Sequence, residues 1–535
     1  MRPAKDRNLF DLILGIDVLS GPLCLRLGIP TGIPSPATGG AVPGSLAFVV
    51  LGQPHDQEVV GCAMHTGFVA SSRVSACMEH PARDMGVSIP CYWSKAKNGG
   101  GPGAEPPLYG RRNGLVLIAV LWMIAVMTAI VAVVGQTSRL NMKMAMAATD
   151  EVRCKWACRA GTENAIAVLN EDLRDSDCLS DLWRDNDDDF NDVTMERCRY
   201  SVRVIDEAGK LNINTATKDQ LMALPYMEED IAEAIVDWRD GDDDPQSQGA
   251  EAGYYENLPV PYKIRNGPFK TVRELLAVKG VTEEYLYGED TNLNGLLDSN
   301  ERDGDLSPPS DNGDDYLDQG WIAYLTCYSY EKNVDAEGDK RVNINQADQQ
   351  QLQDQLGIKV SQAKWIADNR GQGYKSIADL INDRSPRTSS ESAGGNQDQA
   401  EPIDMQTFGQ IADRITISGE DKIPGKINVN TASREVLASL FGRDDQAEQI
   451  ALAIVADRAG LLYGFTSVAD LLNQQSVSVE RFKGIADLIT VRSDVFTVQC
   501  LATADVSGAN FQTECVLDRS ASPCTILYWY QGANY

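Results

Sequence analysis

A run of 21 largely apolar residues without a charge, LVLIAVLWMIAVMTAIVAVVG, lies at 115–135. A helix of about 20 apolar residues crosses the hydrocarbon core of a bilayer, so this run predicts a transmembrane helix. A buried core helix rarely runs this long without a polar face. We expect the helix to continue beyond the membrane to about residue 170.

Apolar and polar residues alternate in six other segments, and this period of two predicts β-strands. The segments are 197–208, 321–331, 414–418, 494–504, 511–517 and 525–530. The last three have the spacing of an antiparallel meander. With the long helix, they predict an α+β fold in which the helix packs on an antiparallel sheet.

Between the strands, a segment with two asparagines separated by one residue recurs three times. The copies are KLNINTA at 210–216, RVNINQA at 341–347 and KINVNTA at 426–432. Each is followed by apolar residues at helical spacing, by an arginine (Arg239, Arg370 or Arg458) and by an aromatic residue (Phe269, Tyr374 or Phe465). Each repeat predicts about three short helices around a small core, typical of helix-hairpin-helix or SAM-like units.

Residues that can cap helices stand at matching places in the repeats. Thr215, Asp348 and Thr431 are expected to cap the first helix of each repeat. Thr271, Ser376 and Ser467 are expected to cap a later helix, with an acidic residue three positions on, as in a capping box.

Helix-hairpin-helix units often hold DNA, but the charge of this chain is unfavourable for that use. The net charge is −29, and residues 1–110 contain eight basic and eight acidic residues, so the acidic excess follows them. Nonspecific DNA binding needs Lys and Arg to neutralise phosphates. The first hairpin turns, at 224–230, 356–362 and 440–446, lack a Gly-x-Gly sequence, although Lys279-Gly280-Val281 is hairpin-like. We expect no nucleic-acid partner; the alternative is a membrane-tethered DNA-binding or uptake protein of the competence type.

The segment DTNLNGLLDSNE, at 290–301, fits the twelve-residue calcium-loop template at every position. The expected ligands are the side chains of Asp290, Asn292, Asn294, Asp298 and Glu301 and the backbone carbonyl of Leu296. We expect a lone EF-like loop with a structural Ca²⁺ ion, because the following residues are not helical. A second, weaker candidate site consists of Asp303, Asp305, Asp311 and Asp314.

The first repeat also carries a long acidic insertion, at 240–268. It contains DGDDD and the adjacent residues Tyr254 and Tyr255. A solvated acidic loop and a loop organised by a cation both remain open for this segment.

Cysteines and histidines are divided unevenly. Cys62, His65, Cys77 and His80 have the paired spacing of a zinc site, but they lie in the Gly- and Pro-rich residues 1–110, which are typical of an extension or a mis-called start. Eight cysteines follow the apolar run: 154, 158, 178, 198, 327, 500, 515 and 524. They permit disulfides of undetermined connectivity.

No catalytic set is visible, so we expect no enzymatic activity.

Several motifs resemble one known family. YGRRNG, at 109–114, is similar to a type IV prepilin leader, and Ala119 replaces the glutamate that most such proteins have at the fifth mature position. Further motifs are DEAGKLNINTA at 206–216, DWRDGDDDP at 237–245, GAEAGYY at 249–255 and NGPFKTVRELLAVKGV at 266–281. Over about residues 109–535, the chain resembles the general secretion pathway protein K family, in which that glutamate is typically absent.

This resemblance implies a minor pseudopilin of the type II secretion system, at the pseudopilus tip, that helps to initiate and cap the filament for protein export across the outer membrane. It implies a pilin-like fold with a large helical domain inserted into its sheet. A prepilin peptidase would cut between Gly114 and Leu115, and methylation would follow. The implied partners are I- and J-type minor pseudopilins, and the implied location is the inner membrane, with one span and a large periplasmic domain.

The expected segments follow one another in this order. They are an N-terminal extension (1–110), the leader end, membrane segment and long helix (111–172), a first strand region (173–209), a first repeat with its insertion (210–289), the calcium loop and acidic linker (290–320), a second repeat (321–384), a linker (385–413), a third repeat (414–490) and C-terminal strands (491–535).

Amino-terminal sequencing of the mature protein tests the leader interpretation. We expect the mature chain to begin at Leu115, because prepilin-type cleavage follows the glycine after the basic pair. A mature protein that still begins within residues 1–110 would contradict this expectation.

Overall fold

The computed structural model describes residues 113–304, 306–307, 309, 311–381 and 400–532. The predicted extension at 1–110, with Cys62, His65, Cys77 and His80, lies outside the described residues. So do Asp305 and residues 385–399 of the predicted linker.

One long helix, Asn113–Glu171, begins the described fold. Its apolar side chains at 115–134 are exposed, and it is the one helix among the described residues that is long and apolar enough to cross a bilayer. Farther on, the helix buries Cys154, Ala157, Cys158, Ala165 and Leu169 against a sheet. The prediction that it continues to about residue 170 is confirmed.

Five antiparallel strands form the sheet behind this helix. In spatial order they are Val193–Met195, Cys198–Asp206, Val495–Ala504, Asn510–Asp518 and Thr525–Gly532. The predicted C-terminal meander is confirmed, and the predicted strand at 197–208 pairs beside it, with Asp206 opposite Phe496. The chain leaves this sheet after Asp206 and returns at Val495, so residues 207–494 form an insertion.

The insertion consists mainly of short helices. Its α-helices are Lys218–Leu221, Glu229–Arg239, Ala252–Tyr255, Glu283–Tyr287, Gln349–Leu356, Val360–Asn369, Met405–Ile411, Arg434–Phe441, Asp445–Ala459 and Val479–Ile485. Its 3-10 helices are Glu207–Gly209, Val272–Ala277, Ser299–Glu301, Gly320–Ala323, Ile377–Leu380, Ala412–Arg414 and Val468–Asn473. A further α-helix, Asp187–Phe190, precedes the sheet.

Three parallel pairs of two-residue strands divide the insertion into three units. They are Leu211–Asn212 with Leu325–Thr326, Val342–Asn343 with Ile415–Thr416, and Ile427–Asn428 with Ile489–Thr490. An antiparallel pair, Tyr330–Lys332 with Lys422–Pro424, adds a further link. Each unit therefore starts at an asparagine segment and is closed by a strand that pairs with it.

The strands predicted at 321–331 and 414–418 are wrong in extent. The first segment contains most of a 3-10 helix and only short strands, and the second contains Ile415–Thr416 alone. The apolar alternation has another cause: Trp321 and Leu325 enter the helical core where the first unit closes. These segments complete the preceding unit, whereas the expected boundaries at 321 and 414 place them at the start of the next.

The second asparagine of each repeated segment binds the backbone of the aromatic residue later in its unit. Its Nδ2 donates to the carbonyl oxygen and its Oδ1 accepts from the amide nitrogen. The distances are 3.0 and 2.7 Å for Asn214 with Phe269, 3.0 and 2.7 Å for Asn345 with Tyr374, and 2.9 and 2.7 Å for Asn430 with Phe465. This asparagine clamp satisfies backbone groups that would otherwise need a strand partner.

The other repeated residues serve the same segment. The first asparagine accepts from the backbone amide of the second, at 3.0, 2.9 and 3.0 Å in the three units. The repeated arginines donate to backbone carbonyls: Arg239 to Ala216 at 2.5 Å, Arg370 to Ala347 at 2.6 Å and Arg458 to Ala432 at 2.7 Å. The asparagines and arginines of the repeated motif thus form hydrogen bonds inside each unit.

The predicted helix caps are partly correct. Asp348, Ser376 and Ser467 cap as expected, each within a capping box. Thr215 and Thr431 do not cap: Thr217 and Ser433 do so instead. The reason is that the two predicted hydroxyls are used elsewhere, by the carbonyl of Asn212 and by Asp206. Thr271 precedes a 3-10 helix but makes no side-chain cap bond.

Two buried carboxylates join the parts of the fold. Asp206, at the exit from the sheet, accepts from Asn428 Nδ2 at 3.0 Å and Ser493 Oγ at 2.6 Å in the third unit. Glu331 lies 2.7 Å from Arg341 and 3.1 Å from Lys426. Burial by itself raises the pKa of Glu331, but Lys426 and Arg341 hold it well below its usual range. The charge of Glu331 is therefore retained at a junction between units.

All eight cysteines after the apolar run are free thiols, and six of them are buried. Cys158, for example, donates through Sγ to the carbonyl of Phe511 at 3.1 Å, where the long helix meets the sheet. In this structure the cysteines act as small packing residues.

Replacing Asn430 with alanine tests the asparagine clamp. Asn430 is 2% exposed, and its loss leaves the buried N–H and C=O of Phe465 without partners. We expect a loss of about 2–3 kcal/mol in unfolding free energy, measured by chemical unfolding of the full chain in detergent. The control is Asn369→Ala, which removes one exposed bond to Trp365. Equal stabilities for the two variants would contradict this role.

Candidate metal centre

The loop at 290–301 is wound around the carboxyl group of Asp290. Its Oδ1 accepts from the amide of Asn294 and its Oδ2 accepts from the amide of Gly295, both at 3.0 Å. Leu293 and Gly295 have positive φ values of 57° and 68°, so the chain reverses tightly here. The tight turn that the template requires at Gly295 is present.

Two of the remaining predicted ligands, Asn292 and Asn294, contact Asp298, but the carboxylates of Asp290, Asp298 and Glu301 do not form a group within 4.8 Å among the described residues. Asp298 Oδ2 accepts from Asn292 Nδ2 at 2.8 Å and from Asn294 Nδ2 at 2.9 Å. Glu301 is 1% exposed, and its Oε2 accepts from the amide of Asp298 at 2.9 Å. Its other oxygen, Oε1, is buried and has no hydrogen-bond partner.

The charge of this loop suits a cation. Burial raises the pKa of Asp290 and of Glu301, because ionised carboxylates lose their hydration there. Calcium binds through carboxylate, amide and carbonyl oxygens, and a bidentate glutamate at the last position is part of the template. The unpartnered Glu301 oxygen therefore fits calcium. Leu296 donates its amide to Asn294 Oδ1 at 2.6 Å, within the same turn.

The second candidate set is used differently. Asp311 accepts from the amides of Gly304 and Gly313 at 2.7 and 2.6 Å, Asp303 accepts from Ser307, and Asp314 accepts from Tyr316. These carboxylates build separate turns and are not brought together as a ligand group in the described part of the loop.

Glu289 organises this region but is not among the predicted residues. It is buried and accepts from the amides of Asn312 and Asp318, at 3.4 and 3.1 Å. Its place directly before Asp290 is the only sequence signal for this role.

The loop at 290–301 also touches the sheet. Gln512, on the strand Asn510–Asp518, donates through Nε2 to the carbonyl of Leu293 at 2.5 Å. Arg203, on the neighbouring part of the sheet, donates to Gln319, which in turn donates to Asp290 Oδ2 at 3.4 Å. The loop therefore links the inserted units to the sheet.

Three lysines in or near the hairpin turns are bound to groups of the protein itself. Lys218 lies 2.8 and 2.6 Å from Glu229 and Glu233, and Lys359 lies 3.2 Å from Glu401. Lys279, of the hairpin-like turn, donates to the carbonyl of Gln248 at 2.7 Å. These contacts hold loops of the units, a different use from the phosphate contacts of DNA-binding hairpins.

The predicted processing residues, Gly114 and Leu115, lie in the first turn of the long helix. Leu115 is 80% exposed. The structure places these residues at the start of the apolar helix.

Two stretches of the chain match family models described as type II secretion system protein K: residues 209–287 and 427–492. They correspond to most of the first unit and to the third. The middle unit, which the pair of Val342–Asn343 with Ile415–Thr416 closes, lies between them.

Curated relatives carry the same description. Type II secretion system protein K of Pseudomonas aeruginosa is 30% identical over 201 residues, which are 32% of this chain and 59% of that protein. The protein of Pectobacterium carotovorum is 24% identical over 197 residues, 32% of this chain and 60% of that protein. The chain thus spans about three-fifths of the length of these relatives.

A solved structure also resembles the chain. It is a chain of the GspK-GspI-GspJ complex from the type 2 secretion system of enterotoxigenic Escherichia coli, with 13% identity and a TM-score of 0.39 over 73% of this chain and 99% of that one. The two matched stretches and the curated relatives agree with one another and with the resemblance of the sequence motifs. Together they support the type II secretion system protein K family for this chain.

Proposed function

We propose that this chain is a minor pseudopilin at the tip of the type II pseudopilus, where it helps to initiate and cap the filament. The observation that carries the proposal is the combination of a long helix with an exposed apolar half and a pilin-like sheet that is interrupted by 207–494. The exposed half would lie in the inner membrane and later pack against other pseudopilin helices. The larger part of the chain would then be periplasmic.

The position at the tip is supported by two features. Ala119 stands where most pseudopilins have the glutamate that pairs with a neighbouring amino terminus, and alanine offers no such partner. The inserted units add bulk beside the sheet, where a further subunit would have to stack. We infer that the prepilin peptidase prepares the chain by cutting before Leu115, and that the chain acts as a structural component without catalysis.

The proposed partners are the I-type and J-type minor pseudopilins. A protein named GspK occurs in a complex with GspI and GspJ, and two stretches of this chain match models of the type II secretion system protein K family. The long helix offers an apolar surface for helix packing, and among the described residues Thr525–Gly532 is an edge strand of the sheet. Contacts of both kinds would join subunits side by side in a filament tip.

We also propose that the loop at 290–301 holds a structural calcium ion. Asp290, Asn292, Asn294, Asp298, Glu301 and the carbonyl of Leu296 would be its ligands. The ion would neutralise the buried carboxylates of Asp290 and Glu301. Because Gln512 binds the carbonyl of Leu293, a fixed loop would hold the first unit against the sheet.

Deletion and co-purification test the assignment to the secretion system. In the source cell, loss of the chain should stop the release of type II substrates into the medium while their transport into the periplasm continues. The full chain, extracted in detergent, should co-purify with the I- and J-type subunits of the same cell. Normal release by the deletion strain, or a DNA mobility shift by the purified chain without co-purification, would contradict the proposal.

Glu301→Gln tests the calcium loop. The full chain in detergent should bind one calcium equivalent fewer, because the bidentate ligand is lost. At free calcium 100 times the Kd of this site, the unmodified chain should gain about 2.7 kcal/mol of stability from it. Equilibrium dialysis and thermal unfolding, with and without a chelator, measure both effects.

The matched control is Glu283→Gln, an exposed glutamate on the preceding helix. It should bind as much calcium as the unmodified chain. If Glu301→Gln binds the same amount as this control, the loop is not a calcium site.

A further inference from the structure

Two cysteines face each other where the long helix packs on the sheet. Cys158 lies on the helix Asn113–Glu171, and Cys500 lies on Val495–Ala504, the central strand of the sheet. Both side chains are buried, with exposures of 0% and 1%. The two residues are 342 positions apart along the chain, so they meet only when the helix docks on the sheet.

The contacts around this pair are close. Cys158 Sγ donates to the backbone carbonyl of Cys500 at 3.4 Å, and the two thiols hydrogen-bond each other. A Cβ atom on Gly161, about one turn farther along the helix, would lie 2.8 Å from Cys500 Sγ. The glycine therefore lets the helix backbone come within reach of the Cys500 side chain. A disulfide needs two cysteines whose backbones lie close and whose side chains point at each other, and this pair meets both conditions.

The other thiols in the same core are directed elsewhere. Cys154 and Cys198 each donate to a backbone carbonyl, at 3.4 and 3.1 Å. Cys515 lies on the strand beside Cys500, and a full antiparallel ladder already joins these two strands. Across the boundary between helix and sheet, the partner of Cys500 is therefore Cys158.

Burial decides when this pair can react. The hydrogen bond from Cys158 and the loss of hydration raise the pKa of Cys500. Because the thiolate is the attacking species in disulfide exchange, a packed Cys500 reacts slowly. Oxidation must therefore precede the complete docking of the helix, when both sulfur atoms are in water. A bridge made at that stage is afterwards buried away from reductants.

We propose that Cys158 and Cys500 form a disulfide that joins the long helix covalently to the sheet. This rests on the proposed function in one respect, since a periplasmic domain meets oxidising conditions. The thiolate of one cysteine attacks the disulfide of an exported dithiol–disulfide oxidoreductase, and a mixed disulfide forms. The second cysteine then displaces that protein, which leaves as a dithiol with the two electrons and two protons that the cysteines have lost.

The position of the bridge gives it a mechanical role. The apolar half of the helix, 115–134, would be held in the membrane or the filament, whereas the sheet carries the insertion 207–494. A force on one part reaches the other through the contact between helix and sheet. The disulfide would transmit that force through a covalent bond, so that apolar packing alone does not have to resist it.

Peptide mapping of the full chain tests the bridge. The chain is extracted from the source cell in detergent, its free thiols are blocked with iodoacetamide in denaturant, and it is digested without reduction. Mass spectrometry should find a linked pair of peptides that contain Cys158 and Cys500, and dithiothreitol should separate them. Cys327, which lies in the first unit, should be alkylated without reduction and is the internal control.

Two variants sharpen the test. Cys500→Ala should leave Cys158 open to alkylation, whereas Cys515→Ala, which also removes a buried thiol of this core, should keep the linked pair. Dithiothreitol should lower the Tm of the unmodified chain and of Cys515→Ala but leave that of Cys500→Ala unchanged. If Cys500→Ala fails to fold, the peptide map of the unmodified chain decides by itself.

Alkylated Cys158 and Cys500 in the unreduced chain, or a bridge between Cys500 and Cys515, would overturn the proposal. The reduced, unfolded chain is also refolded in detergent with oxidised and reduced glutathione, to show which premise failed. A bridge that forms there but not in cells would contradict the periplasmic location and with it the proposed function. A bridge that forms in neither preparation would contradict the pairing of the two cysteines and leave the proposed function standing.

Discussion

The inserted units depend on asparagine side chains that replace missing backbone partners. In each unit, one asparagine forms both hydrogen bonds that a strand residue would otherwise offer to the aromatic residue opposite. A buried backbone group without a partner costs more than a made bond contributes, so this contact decides whether the segment can be buried at all. Helices as short as Lys218–Leu221 are marginal alone. They persist here because the clamp and the arginine bonds fix the core around them.

The polar residues of the hairpin-like repeats are also used within the protein. The asparagines and arginines of the repeat are used inside the unit, and the lysines in or near the turns bind carboxylates or carbonyls of the chain. The repeated unit is a stable building block, and buried charges make the junctions between units specific. Contacts of this kind join Glu331 to Arg341 and Lys426, and Asp206 to Asn428. A buried carboxylate that meets its partners in only one arrangement favours that arrangement over others.

The sequence predicts the parts of this fold whose signal is local. The helix Asn113–Glu171 and the last three strands follow from apolar patterning, and the template at 290–301 places Asp290 and Gly295 correctly in a tight turn. The closing strands were not predictable, because a strand of two residues, such as Leu325–Thr326, is too short to show an alternation of apolar and polar residues. The caps at Thr217 and Ser433 were missed because the hydroxyls of Thr215 and Thr431, which were expected to cap, form other hydrogen bonds. Glu251 meets Asp237 only after the insertion folds back, so spacing along the chain does not reveal that these carboxylates are close.

Composition alone does not show that some of the acidic residues of the chain are buried. A net charge of −29 suggests a solvated surface, yet Asp237, Glu251, Asp290 and Glu301 are all buried. Carboxylates leave water only when hydrogen bonds, opposite charges or protons replace their hydration. Where Arg519 or Lys426 is present, the chain carries the opposite charge itself. At Glu251 and Glu301, buried carboxylate oxygens have no hydrogen-bond partner among the described residues, and burial raises the pKa of both groups.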